Sequence, residues 1–404
     1  MYGKTHRSLY VLCIMLFFFL IFDGMMMFHV PLIITGAGLS EAQMGLIIGS
    51  SSIAGIIFDF LLTHILKKAT YRRMFLVMLL MAATFPLILW KGQSMPLLFL
   101  GMIVWGIYYD LYNCGTLDFI GRTQPKEEHA SSAGVVDVFI AFGYLIAPIL
   151  ASTFMKDSLD ASLFYFAWGF LGIAFIFYLV LRRISPEKHT PKTKKHLVTF
   201  FSEMHLHKDM VSILFPVFLV STMLMMIEST YWMIAPLIEL PTSWPFEFNG
   251  LFLFAHELPL LIVGWIIGEI IGKRSKKRVA FVTLLVGSTL MMLFLVVRNP
   301  FALIFLSFLC AVCTGITWPA IRGAYADYVS DVPNKEQDIE LLQDSFTNLG
   351  FIVGPVLAGS LSGAFGHLQT IGIIGVVTCV ISLILLVTTP KNIDLAARLN
   401  ALGK

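Results

Sequence analysis

Twelve stretches of bilayer-spanning length, each dominated by apolar side chains, leave this chain one environment in which it can fold. They lie near 9–34, 43–66, 74–90, 96–120, 131–155 and 161–181, and resume near 211–238, 249–271, 279–297, 301–327, 341–364 and 370–389. A bilayer core needs about 20 apolar residues per helix, and inside it every backbone polar group must be satisfied internally. The expected fold is therefore all-α and integral to the membrane, with twelve transmembrane helices. Composition agrees: 57% of the 404 residues are hydrophobic and 13% charged, against about a quarter charged in a soluble domain. Lys4 and Arg7 precede the first run, which continues past Asp23 without a small-residue cleavage site. It reads as a retained first helix and not as a removed leader.

The longest hydrophilic break, Arg182 to Asp209, carries Arg182, Arg183, Lys188, Lys192, Lys194, Lys195 and Lys208. It splits the chain into a six-helix bundle at 1–181, a linker at 182–209, a second six-helix bundle at 210–390 and a tail at 391–404. Basic residues concentrate on the cytoplasmic side of membrane proteins. With both termini inside, only Lys91, Lys156 and Arg298 of the 28 Lys and Arg face outward. Both termini are thus expected in the cytoplasm, in the cell (inner) membrane.

The halves repeat one another. Gln43-Met-Gly-Leu46 returns as Phe248-Asn-Gly-Leu251 and Arg72-Arg73 as Lys277-Arg278, both 205 residues on. Asp137 with Gly143-Tyr-Leu-Ile-Ala-Pro148 returns as Asp344 with Gly350-Phe-Ile-Val-Gly-Pro355, 207 residues on. Two six-helix pseudo-repeats in parallel orientation are a plan that secondary transporters use.

Ionisable groups at bilayer depth cost a few kcal/mol each unless they face a cavity or a partner. Segments 1, 2, 4, 5, 7, 8, 10 and 11 carry Asp23, Asp59, Asp110, Asp137, Glu228, Glu257, Arg322 and Asp344, whereas segments 3, 6, 9 and 12 have no charge in their cores. Every third helix then reads as a lipid-facing support, and the other eight as the walls of a polar path. No enzyme signature competes with this reading. His256-Glu257 opens like a zinc-protease helix, but Leu260 stands where the second His would be. The Cys310–Cys313 pair has no second half, and Cys13, Cys114 and Cys379 also fall in apolar runs as inert thiols. No glycine loop precedes Lys-Ser or Lys-Thr as ATP binding would require. No cofactor, metal or nucleic acid is expected.

On these residues the chain resembles the major facilitator superfamily over its whole length. The family's basic motif between helices 2 and 3 is similar to Tyr71-Arg72-Arg73, and its second copy to Gly268-Glu-Ile-Ile-Gly272 followed by Lys276-Lys277-Arg278. The motif's acid falls on Lys67 or Lys68 in one copy and on Gly272 in the other, which leaves the family's interhelix charge lock open. Gly134, Gly143, Ala147-Pro148 and Ala151-Ser152 resemble the helix-5 glycine pattern of the family's proton-coupled exporters. Met102 stands where those exporters place an Arg. A packing seam common to any facilitator explains the glycines equally well.

The expected substrate residues are Asp23, Trp105, Tyr109, Asp110, Asn113, Glu228, Tyr231 and Trp232. Glu228, Tyr231 and Trp232 sit at i, i+3 and i+4, and a carboxylate with aromatic walls suits an organic cation. Asp23, Asp110, Asp137, Glu228 and Glu257 are the candidate proton carriers. Arg322 with Asp137 and Asp344, and Arg72 with Arg73, are the candidate gates. His256 ranks low as a functional group, because neighbours on a helix point about 100° apart. Seven deep carboxylates against one Arg disfavour an anionic substrate. The reading that follows is a monomeric transporter exchanging protons for small amphipathic neutral or cationic compounds across the bilayer. Proton-coupled uptake of a polar nutrient is the near alternative, and a non-transporting membrane sensor or scaffold the distant one.

Overall fold

The computed structural model describes residues 4–65, 70–92, 94–125, 128–154, 161–185, 208–240, 247–271, 275–332, 335–390, 393 and 395–397. Lys67, Lys68 and Gly272, most of the expected linker and nearly all of the tail lie outside the described residues. So does the side chain of Asp59.

Among the described residues the chain forms twelve α-helices and no strand. They are α1 (Lys4–Gly36), α2 (Glu41–Ile65), α3 (Tyr71–Lys91), α4 (Met95–Thr123), α5 (His129–Phe154), α6 (Ala161–Ile184), α7 (Lys208–Ile234), α8 (Phe248–Ile271), α9 (Lys276–Met291), α10 (Pro300–Asp331), α11 (Glu336–Phe365) and α12 (His367–Thr388). Eleven of the spans are long and apolar enough to cross a membrane, and Phe248–Val263 of α8 is a shorter apolar one. Local chemistry sets several boundaries. Gly38, at φ +80°, turns the chain out of α1, a conformation that costs glycine little. Ser40 and Gln43 then form a capping box: the Gln43 side chain accepts from Ser40 N at 2.9 Å, and the Ser40 hydroxyl accepts from Gln43 N at 3.3 Å. Asn299 caps α10 by accepting from Ala302 N at 3.1 Å, with Pro300 as the first helical residue.

The chain divides into two compact units, Met1–His196 with Glu239–Phe254, and Leu197–Ile238 with Ala255–Lys404. The segment that opens α8 therefore groups with the first unit. In that unit α1 packs on α5 and α6, α4 on α2 and α3, and α3 on α6. In the second, α7 packs on α11 and α12, α9 on α10 and α12, and Gly315 of α10 lies against Leu260 and Val263 of α8. Each helix thus keeps the partners of the helix six places earlier.

Small residues allow these approaches. A Cβ on Gly143 of α5 would stand 2.9 Å from the Leu20 Cβ and 3.1 Å from the Phe17 carbonyl of α1. Its counterpart Gly350 on α11 is pressed on the Thr222 carbonyl of α7, and Gly106 of α4 on the Ser51 carbonyl of α2. Pro148 and Ser152 of α5, part of the glycine-like pattern, form the seat of Gly250 at the start of α8.

The repeat extends to the basic motif. Arg72 of α3 donates to the Ser185 carbonyl at the end of α6. Lys277 of α9, 205 residues on, donates to the Pro390 carbonyl beyond α12 at 2.6 Å, and 390 is likewise 205 beyond 185. A cation on the free carbonyls of a helix end satisfies groups the helix leaves open. Each basic motif also meets an acid, on α4 in the first half and on α10 in the second. Asp118 accepts from Tyr71 N at 2.9 Å and from Arg122 at 2.8 Å, and Asp327 pairs with Lys276 at 2.5 Å.

Overpacking a tight interface costs about 1–3 kcal/mol or more. Gly143→Leu and Gly350→Leu should each collapse the yield of monodisperse protein on size-exclusion chromatography. Gly121→Leu, where a Cβ meets nothing within 4 Å, should not.

Candidate functional site

The first unit carries a closed aromatic cluster around one acid. Asp23 of α1 is fully buried. Its Oδ1 accepts from the Trp105 indole at 2.9 Å and from the Tyr108 hydroxyl at 2.7 Å, both on α4. Its Oδ2 accepts from the Tyr144 hydroxyl of α5 at 3.0 Å. Among the described residues no Lys or Arg bonds to it. Trp105 and Tyr108 reach the same acid because i and i+3 share a helix face. The Tyr109 ring stacks on Trp105 with centroids 5.0 Å apart, and Tyr112 lies 5.5 Å from Tyr109. Trp105 and Tyr109 stay partly exposed, so the stacked pair presents aromatic surface beside a buried carboxylate. Tyr144 was not among the expected site residues. It lies seven residues, close to two turns, after Asp137 on the same face of α5, which is the signal that could have found it.

The second unit carries a different arrangement at the matching place. Glu228 of α7 stands 205 residues after Asp23, the offset of the basic motif. Its Oε1 accepts from the Trp232 indole at 3.0 Å, and the same N–H lies 3.0 Å from Oε1 of Glu257 on α8. Its Oε2 is 3.2 Å from Nε2 of His256. Both neighbours on α8 therefore lie near Glu228, His256 by its own contact and Glu257 through the shared indole. A separation of about 100° holds for the Cβ directions, and these side chains are long enough to converge from both sides. Tyr231 takes a different place from Trp232. It is fully buried and stacked on His256, with centroids 3.8 Å apart and planes 14° from parallel. Its ring supports the histidine, and Trp232 is the aromatic group beside Glu228. Glu228, His256 and Glu257 bring one ligand atom each within 4.8 Å, close enough to hold a metal ion. The hydrogen bonds among them and Trp232 account for that closeness by themselves.

Among the described residues none of the remaining expected residues hydrogen-bonds to Asp23 or Glu228. Asp110 sits on another face of α4, its Oδ2 tucked against Gly55 of α2. Asn113, Asp137 and Asp344 are exposed. Arg322 lies over the Trp318 ring at 5.8 Å, and among the described residues no ion pair joins it to Asp344. Arg72 is occupied by Ser185, and Arg73 is exposed.

Membrane-length helices in a repeated six-helix plan, with acids buried among the helices, define a multi-pass membrane protein of the secondary-transporter class. The sequence profile of the Major Facilitator Superfamily matches residues 12–337 and again 217–399, and the chain belongs to that family. It is a membrane transporter and not an enzyme. A curated relative, the quinolone resistance protein NorA of Staphylococcus aureus (strain MRSA252), is 22% identical over 379 residues, covering 88% of this chain and 90% of its own. Among solved structures, a POT family transporter in complex with a thioalcohol-conjugated peptide aligns with TM-score 0.75 at 16% identity, covering 95% of this chain and 96% of its own. The nucleoside transporter NupG aligns with TM-score 0.73 at 13% identity, covering 94% and 98%. At such identities these structures share the fold alone.

Removing one donor from a buried carboxylate costs about 1–3 kcal/mol. Tyr108→Phe should lower stability by about that much, and Asp23→Asn should erase most of the difference. Thermal unfolding of the two single variants and the double variant in detergent measures the coupling.

Proposed function

We propose that this transporter exports small amphipathic neutral or cationic compounds in exchange for protons, by alternating access of its two halves. The observation that carries the reading is how the buried acids are held. Asp23 is satisfied by two tyrosines and a tryptophan, and Glu228 and Glu257 by an indole and a histidine. A carboxylate locked to Arg is neutralised by that pair. One held by O–H and N–H groups can exchange a donor for an ammonium group or take up a proton.

Trp105, Tyr109 and Trp232 offer partly exposed aromatic faces for the apolar or cationic part of a substrate. Asp110 and Asn113 would extend the polar contacts along α4. Asp23, Glu228 and Glu257 are the favoured proton carriers, with Asp110 and Asp137 as further candidates. Asp137, Asp344, Arg322, Arg72 and Arg73 are kept as gate candidates. The name of the NorA relative, a quinolone resistance protein, favours export over uptake. The chain would work as a monomer in the cell membrane with both termini cytoplasmic. A cysteine at Lys156 or Thr242 should then react with a membrane-impermeant reagent from outside, and one at Lys276 should not.

Purified protein in liposomes, with an internal pH dye and a panel of organic cations, neutral amphiphiles, peptides and nucleosides, tests the reading. Organic cations should move against protons, and Tyr109→Ala should weaken them about two- to thirtyfold. In the amide variant of the coupling acid, proton-driven accumulation should fail while substrate exchange survives. If the amide variants of Asp23, Asp110, Asp137, Glu228 and Glu257 all still accumulate substrate, coupling through these acids is wrong. Co-directional proton flow would make the protein an uptake carrier, and absence of flux for the whole panel would favour a sensor.

A further inference from the structure

Arginines gather at one end of the α3–α6 pair, where the two helices are locked together. Arg72 donates to the Ser185 carbonyl just past α6, and the Tyr71 hydroxyl donates to the Ser185 hydroxyl at 2.9 Å. The Tyr178 hydroxyl of α6 donates in return to the Arg72 carbonyl at 3.0 Å. Arg73 follows Arg72 in the chain, and Arg182 and Arg183 stand within the last turn before Ser185. The lock therefore brings four guanidinium groups to one end of the pair. Arg73, Arg182 and Arg183 are exposed, and among the described residues no ion pair joins any of them to an acid. Asp118, the acid at this end, is engaged by Tyr71 N and Arg122.

An apolar face runs from this cluster along both helices. On α3 the exposed Val77, Leu80 and Leu87 follow Arg73 at helical spacing, and on α6 the exposed Phe175, Ile176 and Leu179 lead to Arg182 and Arg183. The helices are antiparallel, since Trp90 at the far end of α3 stacks on Phe164 in the first turn of α6, and the Trp168 indole donates to the Ala83 carbonyl at 3.1 Å. At about 100° per residue, each stripe lies roughly a quarter turn on from the residues that join the helices. In an antiparallel pair that offset brings both stripes to the same side.

The second half provides a contrast on the same scaffold. Lys277 caps the Pro390 carbonyl as Arg72 caps that of Ser185, but Lys276 is paired with Asp327. The places 205 residues after Arg182 and Arg183 hold Val387 and Thr388. The cluster is thus not a by-product of the repeat. Three cations with no acid beside them suit an anion, and the planar fork of arginine matches a phosphate. Anionic headgroups attract basic residues placed at the membrane surface, and the apolar stripes that start there have the length and chemistry of acyl chains.

We propose that this side of the α3–α6 pair binds an anionic phospholipid of the leaflet at that end, its phosphate held by Arg73, Arg182 and Arg183 and its acyl chains laid along the two stripes. The site requires no transport, so its fate is separate from that of the export reading.

Native mass spectrometry of the purified full chain, offered phosphatidylglycerol or phosphatidylcholine of the same acyl composition, reads the site. Phosphatidylglycerol should be retained in preference. Arg73→Gln, Arg182→Gln and Arg183→Gln should each weaken that retention about fivefold, and the triple variant about a hundredfold. Arg278→Gln, at an exposed position of α9, should leave it unchanged. A photoreactive phosphatidylglycerol with a diazirine on one acyl chain needs no variant, and so covers the event that the arginine variants fail to fold. Its crosslinks to the wild-type chain should fall on peptides of α3 and α6, and unlabelled phosphatidylglycerol should suppress them where phosphatidylcholine does not. Equal retention of the two lipids would overturn the proposal, as would a triple variant that retains phosphatidylglycerol like wild type. Crosslinks spread evenly over α9 and α12 would also overturn it. So would displacement of the lipid by inorganic phosphate at matched concentration, which would show a site for free anions.

Discussion

Everything in this molecule answers to the cost of a charge in a medium that cannot solvate it. An acid among apolar helices persists only if the protein supplies what water would have supplied. Asp23 obtains two hydroxyls and an indole, drawn from two helices other than its own. That demand constrains the packing, because α1, α4 and α5 must approach closely enough for all three donors to reach one carboxylate. Gly143 removes the side chain that would keep α5 off α1, and Tyr144, its neighbour, closes the ring of donors. Packing and electrostatics meet here in two adjacent residues.

The second constraint is the repeat, which the two halves satisfy with different chemistry. Arg72 and Lys277 both cap the carbonyl end of the last helix of their half. The acids beside them are not equivalent in strength. Asp118 is largely buried and bonds both a helix N-terminus and Arg122. The Lys276–Asp327 pair is much more exposed, and such pairs contribute little. In each half an acid of the helix that follows the basic motif meets it.

Most of this was legible from the sequence, up to the point where helices must be brought together. Helix number, repeat and the list of deep acids follow from apolar length and residue spacing alone. Two features of the sites do not. His256 was set aside on an angular argument that ignores side-chain length. Tyr231 and Trp232 looked equivalent at i+3 and i+4, yet one turns to stack on α8 and the other to bond Glu228. Asp118 and Asp327 stand 209 residues apart, as do Gly106 and Gly315, so their correspondence was available to a repeat search that looked beyond the family motif. What remained hidden was tertiary: which helix faces which.

Asp23 and Glu228 are counterparts in the repeat, and the difference between their surroundings is informative. The positions that would reproduce the Asp23 cluster in the second half, 209 residues after Trp105 and Tyr108 and 207 after Tyr144, hold Thr314, Thr317 and Phe351. These cannot rebuild it: phenylalanine has no donor, and the Thr317 hydroxyl is engaged with Cys313 and Thr283. Glu228 is instead satisfied by its own helix and by α8, through a longer side chain that reaches sideways. One half thus holds a single acid in a complete shell of neutral donors, and the other holds two acids that share one donor. The first arrangement gives each carboxylate oxygen its own donors, whereas in the second one indole N–H serves both acids. The shared scaffold supplies two equivalent places, and the side chains set there have made them unequal.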